Sequence, residues 1–343
     1  MTDIVPEGMS GFEVFSTLPQ SSLGLAGRDY LAHVVQVARW SEEAGCRGIL
    51  IYSDNSLVDP WLLAQVVLDS TLSLSPLVAV QPIYMHPFAV ATMVSTLGHL
   101  YGRQIYLNMI AGGFKNDLMA LDDQTAHDRR YDRLVEYTAL IQSLLASQAP
   151  VSHTGEFYKV TNLRLLPTVP SELLPEIFVS GSSEAGIAAA RALGAVAVRY
   201  PKPPRESEVD PPPTDLRCGI RVGIIARERA EDAWDVAMQR FPDDRKGELT
   251  HDLAMKVSDS VWHKQLSNTA ELLRGERETY WLHPFETFKT FCPYLVGTYG
   301  AVADELARYM SLGYRTFVLD WPAERDELTH TRVAFAHAAQ RAL

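Results

Sequence analysis

Three cysteines in 343 residues, Cys46, Cys218 and Cys292, are too few and too far apart for a disulfide framework or a metal knot. They read as reduced, partly buried thiols of a cytoplasmic protein. No apolar run approaches the ~18 residues of a membrane span. The N-terminus, "MTDIVPEGMSGF", lacks both the basic residues and the apolar stretch of a secretory signal. Basic surplus is missing too. The net charge is −11, which argues against nucleic acid as a partner, because phosphate-binding surfaces need clustered Lys and Arg. The sequence has no H-E-x-x-H, no P-loop and no G-x-S-x-G, and its carboxylates form no paired motif. With no self-contained nucleophile or metal, the chemistry falls to a bound cofactor.

What is present is a long alternation of strand-like and helix-like stretches. Eight apolar runs read as strands: 12–16, 47–53, 74–80, 103–110, 176–180, 195–200, 216–226 and 314–320. They do not alternate with polar residues, so they look buried on both faces, as parallel strands under helices are. Helical stretches follow at 28–45, near 60–69, near 87–101, about 125–146, after Ser183 and about 229–241. Eight such units predict an α/β (β/α)8 TIM barrel, one domain over 1–343, with insertions at its C-terminal rim. The open doubly wound sheet is disfavoured because no G-x-G-x-x-G follows the first strand. Insertions are expected at about 147–175 (a β-hairpin turning near Thr154-Gly155), 201–215 (Pro-rich) and 243–297. The last is read as a rim loop and lid containing Trp281, His283, Phe285, Phe288 and Lys289.

Barrel chemistry sits at the strand tips. In "SGSSEAG" (180–186), the Gly181-Ser182-Ser183 turn offers free N–H groups, two hydroxyls and the positive end of a helix, which suits a phosphate monoester; the competing reading is an ordinary Ser N-cap. In "TAHDRRYDRLVEY" (125–137), His127 and Tyr131 are four apart and share a helix face, though taken alone a surface helix start with a capping Asp or Thr and solvated charges is the simpler reading. "NMIAGGF" puts Asn108 at a strand end followed by glycines that let a flat ring approach the backbone. His86 before Pro87 reads as structural.

The order and spacing of "AGCRGILIYSDNSLVDPW", "LVAVQPIYMHPFAVATMVSTLGHLYGRQIYLNMIAGG", "HDRRYDRLVEY", "HTGEFYKVTNLRLLP", "IFVSGSSEAGIAAA", "GIRVGIIARERAEDAW" and "YMSLGYRTFVLDW" resemble the bacterial luciferase-like flavin monooxygenases, most closely their alkanesulfonate monooxygenase branch. The resemblance implies reduced FMN delivered by a separate NAD(P)H-dependent flavin reductase, O2, a small organic substrate and a homodimer or homotetramer. It places the FMN phosphate on Gly181, Ser182 and Ser183 with Tyr131, and His127 beside the flavin. Asp54 and Gln81 would lie along the ring, and Asn108, Ala111 and Gly112 at its edge. Arg221 and Lys289, with His127, are the implied catalytic groups. Two positions depart from the branch: Leu57 stands where it has a cysteine, and Gly223 where it has a histidine of the sulfonate site. The implied substrate is therefore not an alkanesulfonate, but another small molecule such as a specialised metabolite or a carrier-bound intermediate. A deazaflavin-dependent oxidoreductase of the same superfamily, a non-catalytic flavin-binding protein and a sugar-phosphate barrel are the alternatives.

Overall fold

Local signals set most element boundaries in the computed structural model, which describes residues 11–22, 24, 27–203, 206, 211–257, 266–267, 269 and 278–342. Strand β1 (Glu13–Thr17) leads into α1 (Gly27–Glu43) and β2 (Gly48–Ile51). Helix α2 (Pro60–Ser70) starts where the Asp59 carboxylate accepts from the Trp61 and Leu62 N–H groups, with Pro60 in the first turn. After β3 (Ser75–Val80), His86 caps α3 (Pro87–Tyr101) by accepting from Phe88 N–H, the structural role expected of it. Then come β4 (Tyr106–Met109), the short α4 (Lys115–Ala120), α5 (His127–Ala146) and the antiparallel hairpin β5 (Val151–Thr154) and β6 (Lys159–Leu163). Strand β7 (Ile177–Ser180) feeds α6 (Glu184–Leu193), which stops at Gly194 in the left-handed conformation. The chain continues through β8 (Val196–Arg199), β9 (Cys218–Arg227), α7 (Ala230–Arg240), α8 (Arg245–Val257), β10 (Tyr280–Trp281), α9 (His283–Glu286), β11 (Tyr294–Thr298), α10 (Tyr299–Ser311), β12 (Tyr314–Leu319) and α11 (Arg325–Arg341).

Parallel pairing runs β1-β2-β3-β4-β7-β8-β9-β12 and returns from β12 to β1, closing a (β/α)8 barrel. These are the eight strands expected from the apolar runs. Two layers of core follow from strands buried on both faces. Inside the barrel, Phe15, Leu50, Leu77, Tyr106, Phe178, Val196, Val198 and Val318 interlock. Phe15, Tyr106 and Phe178 meet edge to face, with centroids 5.2, 5.3 and 5.9 Å apart. Outside it, alternate strand residues pack against the helices. All three cysteines are free and buried. Burial lifts the Cys46 and Cys292 thiols to about 12, so neither is a ready nucleophile. Among the described residues no helix is long and apolar enough to cross a membrane.

The 243–297 region differs from the expected irregular lid. Its last stretch forms β11, which pairs in parallel with the second half of β9, from Tyr294 opposite Gly223 to Thr298 opposite Arg227. The apolar "YLVG" runs straight into a Thr298-capped helix, and its aromatic neighbours disguised it as loop. Trp281 and Phe285 are core residues: Trp281 packs on Trp234 and Phe241, and Phe285 on His251. Burial, the ordinary fate of large aromatics, accounts for them. Residues 204, 205 and 207–210 of the Pro-rich 201–215 stretch, and 258–277 apart from residues 266, 267 and 269, lie outside the described residues.

Candidate active site

The anion-binding reading of 181–183 meets a specific geometry. Ser183 is the N-cap of α6, accepting from Gly186 N–H at 3.1 Å, and it shares a hydrogen bond with Tyr131. The cap is therefore real, but it uses only one of the two serines. The Ser182 hydroxyl is buried and makes no hydrogen bond among the described residues. A buried hydroxyl without a partner is costly unless a ligand supplies one. Gly181 admits no side chain, because the Tyr131 hydroxyl lies 2.5 Å from the place of a Cβ. Tyr131 comes from the first turns of α5, is buried, and is crossed edge-on by His127 at 5.3 Å. Burial raises its phenol above the ordinary value, so it stays protonated and can donate. The His127 Nδ1 lies 2.7 Å from an Asp128 carboxylate oxygen. His127, Tyr131, Gly181, Ser182 and Ser183 thus form one cluster.

A second cluster sits at the tips of β2, β3 and β4. Gly112 has φ 95°, and a Cβ there would come within 3.3 Å of the Gln81 side-chain oxygen. Gln81 donates to the Tyr84 hydroxyl at 3.4 Å, and Tyr84 donates to Asn55 at 2.6 Å. Asn55 in turn donates to the Asp117 carbonyl of α4 at 3.0 Å. Asp54 accepts from the N–H and hydroxyl of Ser56, which fixes the β2 turn. Burial, then the Asp54 charge, raises the Asp117 carboxyl. Ala111 is buried beside this group. Buried Asn108 accepts from Ser180 at 2.8 Å and so ties the ends of β4 and β7 together.

Arg221 belongs to a third group. It pairs in register with Val318 of the barrel interior and lays its guanidinium over the Tyr52 ring at 4.7 Å. Its side chain is 7% exposed, and Nη2 lies 3.5 Å from Asp320. Asp320 also accepts from the Thr290 and Tyr294 hydroxyls at 2.9 and 2.6 Å. Lys289 is not brought to this group: it pairs with Asp244 and is 43% exposed, although its neighbour Thr290 reaches Asp320. The sequence reading missed Tyr52, Tyr84, Asp117, Tyr294 and Asp320. Asp320 was findable, because it stands one residue beyond the last barrel strand, where barrel sites are built. Among the described residues no His/Cys/Asp/Glu group has the geometry to hold a metal ion.

The fold and its rim thus define a (β/α)8 barrel whose polar groups converge at the C-terminal strand ends, the face on which such barrels carry their sites. The luciferase-like monooxygenase family model matches residues 11–316, and the chain belongs to that family. Over 309 residues it is 32% identical to the 4-(gamma-L-glutamylamino)butanoyl-[BtrI acyl-carrier protein] monooxygenase BtrO of Niallia circulans, covering 88% of this chain and 90% of that protein. Among solved structures it is similar to long-chain alkane monooxygenase LadA (TM-score 0.73, 16% identity, 97% and 92% of the two chains). It is also similar to the oxygenating constituent of 3,6-diketocamphane monooxygenase of Pseudomonas putida, in complex with FMN (TM-score 0.70, 14% identity, 97% and 99%). At such identities these two likenesses speak for the fold alone.

Proposed function

We propose that this chain is the oxygenating component of a two-component system: it takes reduced FMN from a separate NAD(P)H-dependent flavin reductase and uses O2 to oxygenate a small organic substrate, an acyl group carried on a carrier protein. The observation that carries the FMN assignment is the Ser182 hydroxyl, buried without a partner among the described residues at the N-terminus of α6 beside Gly181 and Tyr131. That donor set fits a phosphate monoester: backbone N–H groups at a helix start, a spare hydroxyl and a protonated phenol. Ser182, Ser183 and Tyr131 would hold the phosphate, and His127 would flank the flavin. Asp54 and Gln81 would lie along the ring, with Asn108, Ala111 and Gly112 at its edge. Bound reduced FMN would supply the electrons that activate O2. The residues' own work is to fix the ring, exclude water and seat the substrate against it. The carrier-bound substrate class is supported by the relative whose name specifies an acyl-carrier-protein substrate, and by the loss of the sulfonate-site histidine at Gly223.

The test is a fluorescence titration of the protein with FMN in air and with dithionite-reduced FMN without oxygen. The native chain should hold the reduced form more tightly. Ser182→Ala with Tyr131→Phe removes two hydrogen bonds to a charged group, each worth ~1.5–3 kcal/mol, and should weaken binding at least tenfold. Equal binding by native and doubly substituted protein would return the Gly-Ser-Ser turn to a plain helix cap.

A further inference from the structure

The charge around Arg221 limits what the barrel mouth can bind. Its guanidinium is almost wholly buried, yet Nε and Nη2 make no hydrogen bond among the described residues. Asp320 faces it at 3.5 Å and is itself held by the hydroxyls of Thr290 and Tyr294. Cys292, kept a neutral thiol by burial, shares a side-chain hydrogen bond with Arg221 and adds no charge. Arg240, the next cation, packs over the Tyr294 face and gives its Nη2 hydrogen to the Trp321 carbonyl, not to Asp320. Tyr294 also fills the space beside Gly223: a Cβ there would collide with its ring. No side chain at 223 can then reach a ligand, and the ring that excludes it is the one that anchors Asp320.

Arg221 is thus a hydrogen-bond donor whose charge is already balanced. A sulfonate or carboxylate brought to it would leave one uncompensated negative charge in a site too dry to screen it, while a neutral oxygen would accept from Nε and Nη2 without that cost. We infer that Asp320, positioned by Tyr294 and Thr290, makes Arg221 selective for a neutral carbonyl, as in a thioester or amide, and against anionic groups. This rests on the substrate reading above and narrows it: the part of the substrate that meets Arg221 is an uncharged acyl carbonyl, and Asp320 is a specificity-determining, positioning residue.

The experiment is isothermal titration calorimetry of the full chain, with FMN present and with FMN omitted, using S-butanoyl-N-acetylcysteamine as the neutral probe and butane-1-sulfonate as the anion. The native protein should bind the thioester at least tenfold more tightly than the sulfonate. Arg221→Met should weaken the thioester at least tenfold. Asp320→Asn, which keeps the shape and removes the charge, should tighten the sulfonate at least tenfold; Tyr294→Phe should shift selectivity the same way by less, and serves if Asp320→Asn does not fold. The inference is overturned if the native chain binds the sulfonate as well as the thioester, if it binds no thioester, or if the charge removal leaves the sulfonate unchanged. Thioester selectivity intact in a chain that binds no FMN would sink the flavin assignment and uphold this one.

Discussion

At residue scale the site is governed by which polar atoms are already spent. Ser183 and Ser182 are adjacent and chemically identical, yet one hydroxyl closes the helix cap and the other makes no hydrogen bond among the described residues. The same accounting separates Arg221, whose Nε and Nη2 make no hydrogen bond among the described residues, from Lys289, tied to Asp244 at the surface. Gly181 gives a direct test of the cradle. Alanine there would press its Cβ against the Tyr131 hydroxyl, and Tyr131 is a rigid ring packed under His127. Overpacking of this kind costs ~1–3 kcal/mol. Gly181→Ala should therefore lower the thermal midpoint by several degrees and weaken FMN binding, whereas Gly181→Ala with Tyr131→Phe should recover much of the stability and none of the binding. Calorimetric melting and flavin titration of the two variants read the two effects separately.

At element scale, single side chains fasten insertions to the barrel. Glu136 of α5 accepts N–H groups from Glu156, Phe157 and Tyr158 and lies 3.2 Å from the His153 ring, so one carboxylate holds the whole β5–β6 turn. Burial pushes that carboxyl up, but the bonds from Phe157, Tyr158, His153 and Glu156 together outweigh it and hold it below its ordinary value. Glu136→Gln keeps the size and loses the charge, and should speed amide hydrogen exchange across Val151–Leu163 at least tenfold while the barrel strands keep their protection. Exchange unchanged in the hairpin would mean that β5–β6 pairing alone fixes it. Such insertions were partly legible in the sequence. The hairpin was visible because Thr154-Gly155 breaks two β-type runs, and all eight barrel strands because their apolar runs have no polar alternation. β11 was not, since four apolar residues inside an aromatic stretch carry no periodicity of their own. The small helix α4 was hidden for a similar reason: "KNDLMA" is too short to show a face, yet it supplies the Asp117 carbonyl that steadies Asn55. Among site residues, the glycine-serine turn and the His127/Tyr131 pair could be read from local chemistry. The Arg221–Asp320–Tyr294 group could not be read as a group, although Asp320 by itself was findable, because Arg221 stands on β9, Tyr294 on β11 and Asp320 just beyond β12, and only the pairing of β9 with both strands brings them together.

For the whole molecule, the carboxylates that tie elements together set its response to acid. Glu42 of α1 accepts from the N–H groups of Leu72, Ser73 and Leu74 and from the Ser73 hydroxyl, joining α1 to the start of β3. Burial raises its carboxyl, and those four bonds together lower it below the ordinary value. Asp123 behaves alike: burial raises it, while Arg133 and Thr125 together bring it down. With Glu136, that makes three inter-element carboxylates whose folded pKa lies below the unfolded one. Each contributes stability that is fully present above the unfolded value, near pH 4, and is lost as pH falls through the folded value. The histidines give less leverage near neutrality. Burial holds His251 and His330 below their ordinary value, so both fold as neutral rings and oppose folding only once the unfolded chain begins to take up protons, below about pH 6.5. Stability should therefore be flat from pH 8 to about 6.5, decline gently to about 4.5, and fall steeply below 4. Replacing Glu42 and Glu136 together with Gln should lower the midpoint at pH 7 but flatten the acid limb, since the variant has less to lose. Urea melts of the native and doubly substituted chains at pH 7, 5 and 3.5 measure this. Curves that stay parallel at all three values would place the acid sensitivity in other carboxylates, with Asp123 and its Arg133 partner the next to examine.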